Sequence, residues 1–299
     1  MVLRVGIHPN NLHLTLAQGM FGEVFANMDA VAVPYAEGRD SAQLLANGQI
    51  DVCGTGSTPP ILAQAAGLDV VYLAASAPRP ANGGLVVAPA SPIHTTRHLK
   101  GARVALLDGS FHTYFLAKEL EKVGLQLRDV HRVEITPGKS LQRLELGEVD
   151  AWVAMAPLLD QTLAAGRTRL LARCGDTIPN RSIFWTLRDR AVPGAGLDCF
   201  VAGLARLGRD LIPADPAWAA RWLADPGAGA DEVAVWRDII AARDWTVSPV
   251  SPAIIAEQQD EADTLLRHNA LASRVNVSTA VCMSIARAPS HGPPRSRQT

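Results

Sequence analysis

Asn47-Gly48-Gln49-Ile50-Asp51-Val52 and Leu146-Gly147-Glu148-Val149-Asp150-Ala151 share one pattern. In each, a glycine follows a helical stretch, where a left-handed C-terminal cap is expected. A β-branched residue and an aspartate then lead into a short apolar run of strand type. Each copy falls about halfway through a series of alternating strands and helices. The chain therefore reads as an α/β protein of two lobes built on one plan.

Outward from the first copy, strands are predicted at 3–7, 30–35, 50–53 and 70–74, with helices over 14–25, 39–47 and 61–66. A segment rich in Pro, Gly and Asn interrupts the series at 77–84. A strand at 85–88 follows it. The second series has strands at 103–107, 131–135, 150–155 and 170–172, with helices over 115–123, 140–146 and 158–165. Residues 184–187 form the last clear strand, and 191–267 are mainly helical. Mostly parallel sheets are expected, with two crossings near 80 and 183. Lobe one is then 1–80 with 186–286, and lobe two is 81–185. Residues 287–299, with Pro289, Pro293, Pro294 and Gly292, are expected to form a disordered tail. Open α/β sheets bind ligands beyond the carboxyl ends of their strands. Two such lobes facing each other make a hinged clamp.

Composition sets limits. The 299 residues are 48% hydrophobic and 19% charged, with 28 basic and 29 acidic side chains and a net charge of −1. No global field draws such a chain to nucleic acid or to a membrane surface. No run approaches the ~18 apolar residues of a membrane span. The sequence opens directly on a core strand, so the chain as written is expected in the cytoplasm, or outside it if a leader has been removed. Cys53, Cys174, Cys199 and Cys282 are widely spaced, and no cofactor or metal site is expected.

Three polar loops fall at strand ends that face the cleft. His8, Asn10 and Asn11 follow the first strand. Thr55, Gly56, Ser57 and Thr58 stand between a strand and a helix that starts near Pro59 and Pro60. Ser110, His112 and Thr113 occupy the matching place in the second lobe. Free N–H groups and the helix dipole at such a place favour an anion. The same hydroxyls also serve as plain helix caps. Arg39 is suited to bidentate pairing with an anion, or to a solvated helix face. Arg181, beside Asn180, lies at the return crossing. Trp152 and Phe184 are either cleft walls or core.

The run 35–67, with Gly54-Thr55-Gly56-Ser57-Thr58-Pro59-Pro60 at its centre, resembles the aliphatic-sulfonate/nitrate/taurine family of solute-binding proteins of ABC importers. Leu99-Lys100-Gly101-Ala102-Arg103-Val104-Ala105 and Trp245-Thr246-Val247-Ser248-Pro249-Val250 support the resemblance, which spans roughly 3–280. It implies a type II periplasmic-binding-protein fold and a monomer that takes a small anionic, sulfonate-like molecule and works with an ABC permease. The alternative is a cytoplasmic enzyme on the same fold, either a desulfinase-like C–S lyase or a biosynthetic enzyme. Its catalytic candidates are His8, His112 and Cys53. The desulfinase cysteine, however, aligns with His8, and the cysteine-rich motif of the thiamine-pyrimidine synthases is absent.

Overall fold

The computed structural model describes residues 2–191 and 196–281. The expected tail at 287–299 and Cys282 lie outside the described residues. The strands are β1 (Leu3–Ile7), β2 (Ala30–Pro34), β3 (Val52–Thr55), β4 (Val70–Ser76), β5 (Gly83–Val87), β6 (Arg103–Leu106), β7 (His131–Glu134), β8 (Ala151–Met155), β9 (Arg169–Arg173), β10 (Ile183–Leu187) and β11 (Val247–Pro249). They form a six-stranded sheet in the order β11-β4-β10-β3-β1-β2 and a five-stranded sheet in the order β7-β6-β8-β5-β9.

Each sheet is mixed rather than mostly parallel. β10 runs antiparallel between β3 and β4. β5 runs antiparallel between β8 and β9. These are the two strands that arrive from the other sheet. A chain crossing at the cleft enters at the carboxyl ends of the parallel strands, so it runs against them. The chain re-enters the first sheet at Ile183, ahead of residue 186. The three-residue β11 was not expected from sequence, because its polar, proline-ended run carries no strand period.

The helices that meet the cleft start earlier than periodicity suggests. One spans Thr58–Ala65 and the other Phe111–Glu121. Their first turns are formed by loop residues that periodicity cannot see. The helix expected over 14–25 is two pieces, Leu12–Gly19 and Phe21–Val24.

The repeated Gly-x-[Ile/Val]-Asp pattern builds the same clamp in both sheets. Asp51 Oδ2 accepts from the Arg4 backbone N–H at 2.8 Å and from Arg4 Nε at 2.9 Å, while Oδ1 accepts from Nη2 at 2.6 Å. Arg4 also donates to the Gly48 carbonyl. In the second sheet, Asp150 Oδ2 accepts from Arg103 N at 2.7 Å and Nε at 3.1 Å, and Oδ1 from Nη2 at 2.8 Å. Arg103 reaches the Gly147 carbonyl at 2.7 Å. The backbone N–H of each aspartate returns a bond of 2.8 Å to the carbonyl of its arginine. Gly48 and Gly147 hold φ values of 67° and 68°, the left-handed conformation that turns each helix into its strand. Burial pushes the Asp51 carboxyl up, but its bonds to Arg4 and the charges of Arg4 and Arg190 outweigh this and hold it below the usual range.

One long helix ties the two halves together. It spans Pro252–Arg267 and buries Ile254, Ala262 and Leu265 in a core cluster that reaches from Tyr72 of the first sheet to Val104 of the second. Tyr114 Oη donates to Asp260 at 2.7 Å, and Lys118 Nζ pairs with it at 3.1 Å. Arg267 pairs with Glu121 at 3.0 Å. On its other flank, Glu261 is 1% exposed and accepts from the Thr58 hydroxyl. Burial pushes the Glu261 carboxyl up to about 7, against the lowering effect of the Ser57 and Thr58 hydroxyls.

Two measurements check this frame. Asp51→Ala removes a buried carboxylate that accepts from a backbone N–H and from a partly exposed guanidinium, and should cost about 1–2 kcal/mol in urea denaturation. Asp150→Ala, at the more exposed clamp, should cost less, and equal losses would contradict the burial argument. Glu261 holds its proton more tightly folded than unfolded. Its contribution is therefore present below the ordinary glutamate pKa and is lost as pH rises through about 7. Stability should fall between about pH 5 and pH 8 relative to Glu261→Gln, and parallel stability curves for the two proteins would refute the assignment.

Candidate functional site

A cavity of about 300 Å³ opens between the two sheets. His8, Asn10, Arg39, Gly56, Ser110 and His112 line it, so six of the residues singled out from sequence meet there. They come from loops after β1, β2, β3 and β6, all at carboxyl ends of strands. Apolar area comes from Pro9, Leu107, Phe111 and Met155.

His8 is 4% exposed, and its Nε2 lies 3.0 Å from the Gly54 carbonyl. Its Nδ1 has no partner. Burial pushes the imidazole down to about 4, with Arg79 adding repulsion, so it is neutral near pH 7. His112 is 1% exposed, and its Nδ1 accepts from the Leu107 N–H at 3.2 Å. Nε2 must therefore carry its proton, and it too is unpartnered. Burial pushes this ring down to about 3. Ser110 caps the Phe111–Glu121 helix by accepting from His112 N at 3.2 Å, and donates to Leu107 O at 2.7 Å. It is thus a cap that also lines the cavity. Gly56 borders open space, where a side chain would occupy the cavity.

Arg39 crosses the mouth rather than facing a ligand. It pairs with Glu37 at 2.6 Å and with Glu134, at the end of β7 in the other sheet. Half-exposed, it acts as a strap between the two halves.

The remaining candidates lie outside the cavity lining. Asn11 caps the Leu12–Gly19 helix by accepting from Leu14 N at 3.1 Å. Its Nδ2 packs where a Cβ on Gly54 would lie 2.6 Å away, so only glycine fits there. Thr55 Oγ1 accepts from Trp185 Nε1 at 3.0 Å. Ser57 and Thr58 cap nothing with their side chains; their hydroxyls serve Glu261. Thr113 bonds Asp108 Oδ1 at 2.7 Å and shapes its own loop. Arg181 forms a two-bond pair with Glu257, at 2.6 and 3.0 Å. Trp152 and Phe184 are core residues, 1% and 0% exposed. Cys53 is fully buried, and burial pushes its thiol up, which leaves no accessible thiolate nucleophile there. His94 and His98 are spaced for a metal, but both are exposed and His98 Nδ1 accepts from His94 N at 3.2 Å. No group of three metal-ligating side chains occurs among the described residues.

The sequence reading missed Arg79 and Asn82. Both line the cavity from the first crossing, and they are 6% and 7% exposed. Arg79 donates through Nε to the Asn180 carbonyl at 2.7 Å and through Nη2 to Asn180 Oδ1 at 3.0 Å, both neutral acceptors. Among the described residues no carboxylate pairs with it. Burial lowers its pKa to about 10, still charged at neutral pH. Asn82 accepts from Arg243 Nη2 at 2.6 Å and leaves its own Nδ2 unpartnered. The signal in sequence was an arginine between prolines in a hinge segment, with no acid beside it. The unpaired groups at this wall are all donors, and the charge is positive. Such a wall is complementary to an oxyanion.

Comparison with known proteins agrees with this geometry. Over 281 residues the chain is 28% identical to a protein named as an aliphatic sulfonates-binding protein in Escherichia coli (strain K12), covering 92% of this chain and 86% of that one. Its fold matches the alkanesulfonate-binding protein SsuA from Xanthomonas axonopodis pv. citri, solved bound to MOPS, with a TM-score of 0.80 at 29% identity, over 94% of this chain and 98% of that one. The periplasmic aliphatic sulphonate binding protein SsuA from Escherichia coli also gives a TM-score of 0.80, at 28% identity, with 93% and 96% covered. These matches bear out the two-lobed periplasmic-binding-protein fold. The family model described as NMT1/THI5 like matches residues 19–172, more than half of the sequence, and the chain belongs to that family.

Proposed function

We propose that this protein is a solute-binding component of an ABC-type importer that holds an aliphatic sulfonate in the cleft between its lobes. The observation that carries the reading is Arg79, a buried guanidinium at the cavity wall with only neutral partners. Burying a cation without a counter-charge costs several kcal/mol. A bound monoanion supplies that counter-charge. His112 and Asn82 add donors, and the helix N-termini at Thr58 and Phe111 add favourable field. The apolar lining suits a short carbon chain. The names and folds of the relatives support the same ligand class, an importer as partner and a place of work outside the cytoplasm.

The lobes are taken as 1–80 with 186–286 and 81–185, working as a monomer. A ligand that touches both walls favours the closed form by its difference in affinity for the two states.

Calorimetry with butanesulfonate should give a Kd of about 1 μM or lower, with the sulfonate unchanged by NMR afterwards. Absence of binding to any sulfonate would refute the reading, and cleavage of the C–S bond would favour the enzyme. Arg79→Met should weaken binding by about 100-fold or more. The same change should leave the thermal stability of the ligand-free protein equal or higher, because it removes a lone buried charge. Retained affinity would remove Arg79 from the site.

A further inference from the structure

Arg243 stands behind the cavity wall and is not among the residues that line the cleft cavity. It follows the helix Ala230–Ala242 and precedes β11 of the six-stranded sheet. Its guanidinium lies 5.0 Å from the centre of the Trp245 ring, a face that favours a cation. Burial, with repulsion from Arg79, lowers its pKa to about 9, so it stays charged at neutral pH. Among the described residues no carboxylate forms an ion pair with it, although Asp160 and Asp238 line the same chamber behind the wall. Its Nη1 is enclosed without a partner, and its Nη2 donates to Asn82 Oδ1 at 2.6 Å.

That one bond decides how Asn82 faces the cavity. The backbone of Asn82 is already held: its N–H donates to Arg79 O at 3.1 Å, and its carbonyl accepts from Ala156 N at 3.0 Å. The freedom that remains is which end of the side-chain amide meets Arg243. A guanidinium has N–H donors and no acceptor, so only the amide oxygen can meet it. The flipped amide would set two donors against each other. Nδ2 is thereby the end left over, and it has no partner in a residue only 7% exposed. Asn82 lines the cavity beside Arg79, so a ligand at this wall meets N–H groups from both.

We propose that Arg243 is a positioning residue of the anion site, which holds Asn82 as a donor and makes the wall favour an oxyanion that only accepts hydrogen bonds over one of equal charge that carries an O–H. This rests on the cleft being a sulfonate site. A sulfonate offers three acceptor oxygens. A singly charged phosphonate has nearly the same shape, but its P–OH needs an acceptor that Arg79 and a fixed Asn82 do not supply. Without Arg243 the amide is free to turn its oxygen to that O–H. His8 Nδ1 carries no proton, because Nε2 must donate to the Gly54 carbonyl, and is itself an acceptor. It belongs to the loop after β1 and is the same in every Arg243 variant, so a comparison of variants isolates Asn82.

The test is calorimetry with butanesulfonate and butylphosphonate at mildly acidic pH, where both are monoanions. His8 and His112, with pKa values lowered to about 4 and about 3, stay neutral there. The wild-type protein should bind the sulfonate about tenfold tighter than the phosphonate. Arg243→Met should weaken both probes through the lost charge and bring their ratio close to one. Arg243→Lys, which still donates to Oδ1, should restore most of the ratio. No sulfonate preference in the wild-type protein, a ratio that Arg243→Met leaves unmoved, or a ratio lost equally in both variants would overturn this inference alone. Independently of any Arg243 variant, the Asn82 side-chain amide resonances should shift in NMR when butanesulfonate is added, and resonances that stay in place would overturn it as well. Failure of butanesulfonate to bind the wild-type protein would overturn the sulfonate reading and this inference with it.

Discussion

The geometry of the cleft depends on the arginine–aspartate clamp at the opposite end of each sheet. Each carboxylate fixes both the backbone N–H and the guanidinium of an arginine, on β1 in one sheet and on β6 in the other. Strand pairing begins one residue beyond, at Val5↔Val52 and at Val104↔Ala151. A slip of one residue would turn every side chain to the other face. With register pinned, the loops that follow β1, β3 and β6 leave the sheets at defined places. His8, Gly56 and Ser110 therefore reach one cavity although they belong to different lobes.

The same clamp explains what was legible in the sequence. The Gly-x-[Ile/Val]-Asp repeat is visible because its parts are local: a left-handed glycine, a strand start and an acid. Its partners, Arg4 and Arg103, lie 47 residues away in both lobes, so the repeated interval was present but carries no local period. Strands with apolar runs, such as β3 and β4, were readable for the same local reason. The antiparallel course of β5 and β10 was not, because it follows from where the chain crosses between lobes rather than from residue type.

The site divides along a similar line. Loop positions at strand ends could be read, and six of the named residues do line the cavity. Which side chains remain free could not. Ser57 and Thr58 look like ligand donors in sequence, yet Glu261, some 200 residues later, takes their hydroxyls. Arg181 looks like an anion receptor, yet Glu257 neutralises it. Arg79 looked like loop punctuation between prolines, and among the described residues no carboxylate pairs with it. A charged group is available to a ligand only if no distant residue has already satisfied it, and pairing of that kind is a tertiary property.

Arg79 also occupies a place from which binding can drive movement. Its backbone N–H donates to Pro179 O at 3.0 Å, and its side chain holds both oxygens of Asn180. Asn180 has a φ of 47°, a left-handed conformation that asparagine tolerates at modest cost. The two crossings are thus joined through the residue proposed to meet the anion. A ligand bound there acts on the hinge itself and not only on the lobe faces. Farther out, the Arg39–Glu134 pair joins the halves at the mouth, and the Lys118–Asp260 and Arg267–Glu121 pairs join them at the flank. These outer pairs are exposed to water and weakly stabilising, so each can open and reform at small cost. The buried contact at Arg79 has no such solvent compensation. Neutralising its charge therefore contributes most where the two chain crossings meet, which is where a hinged clamp must sense that it is full.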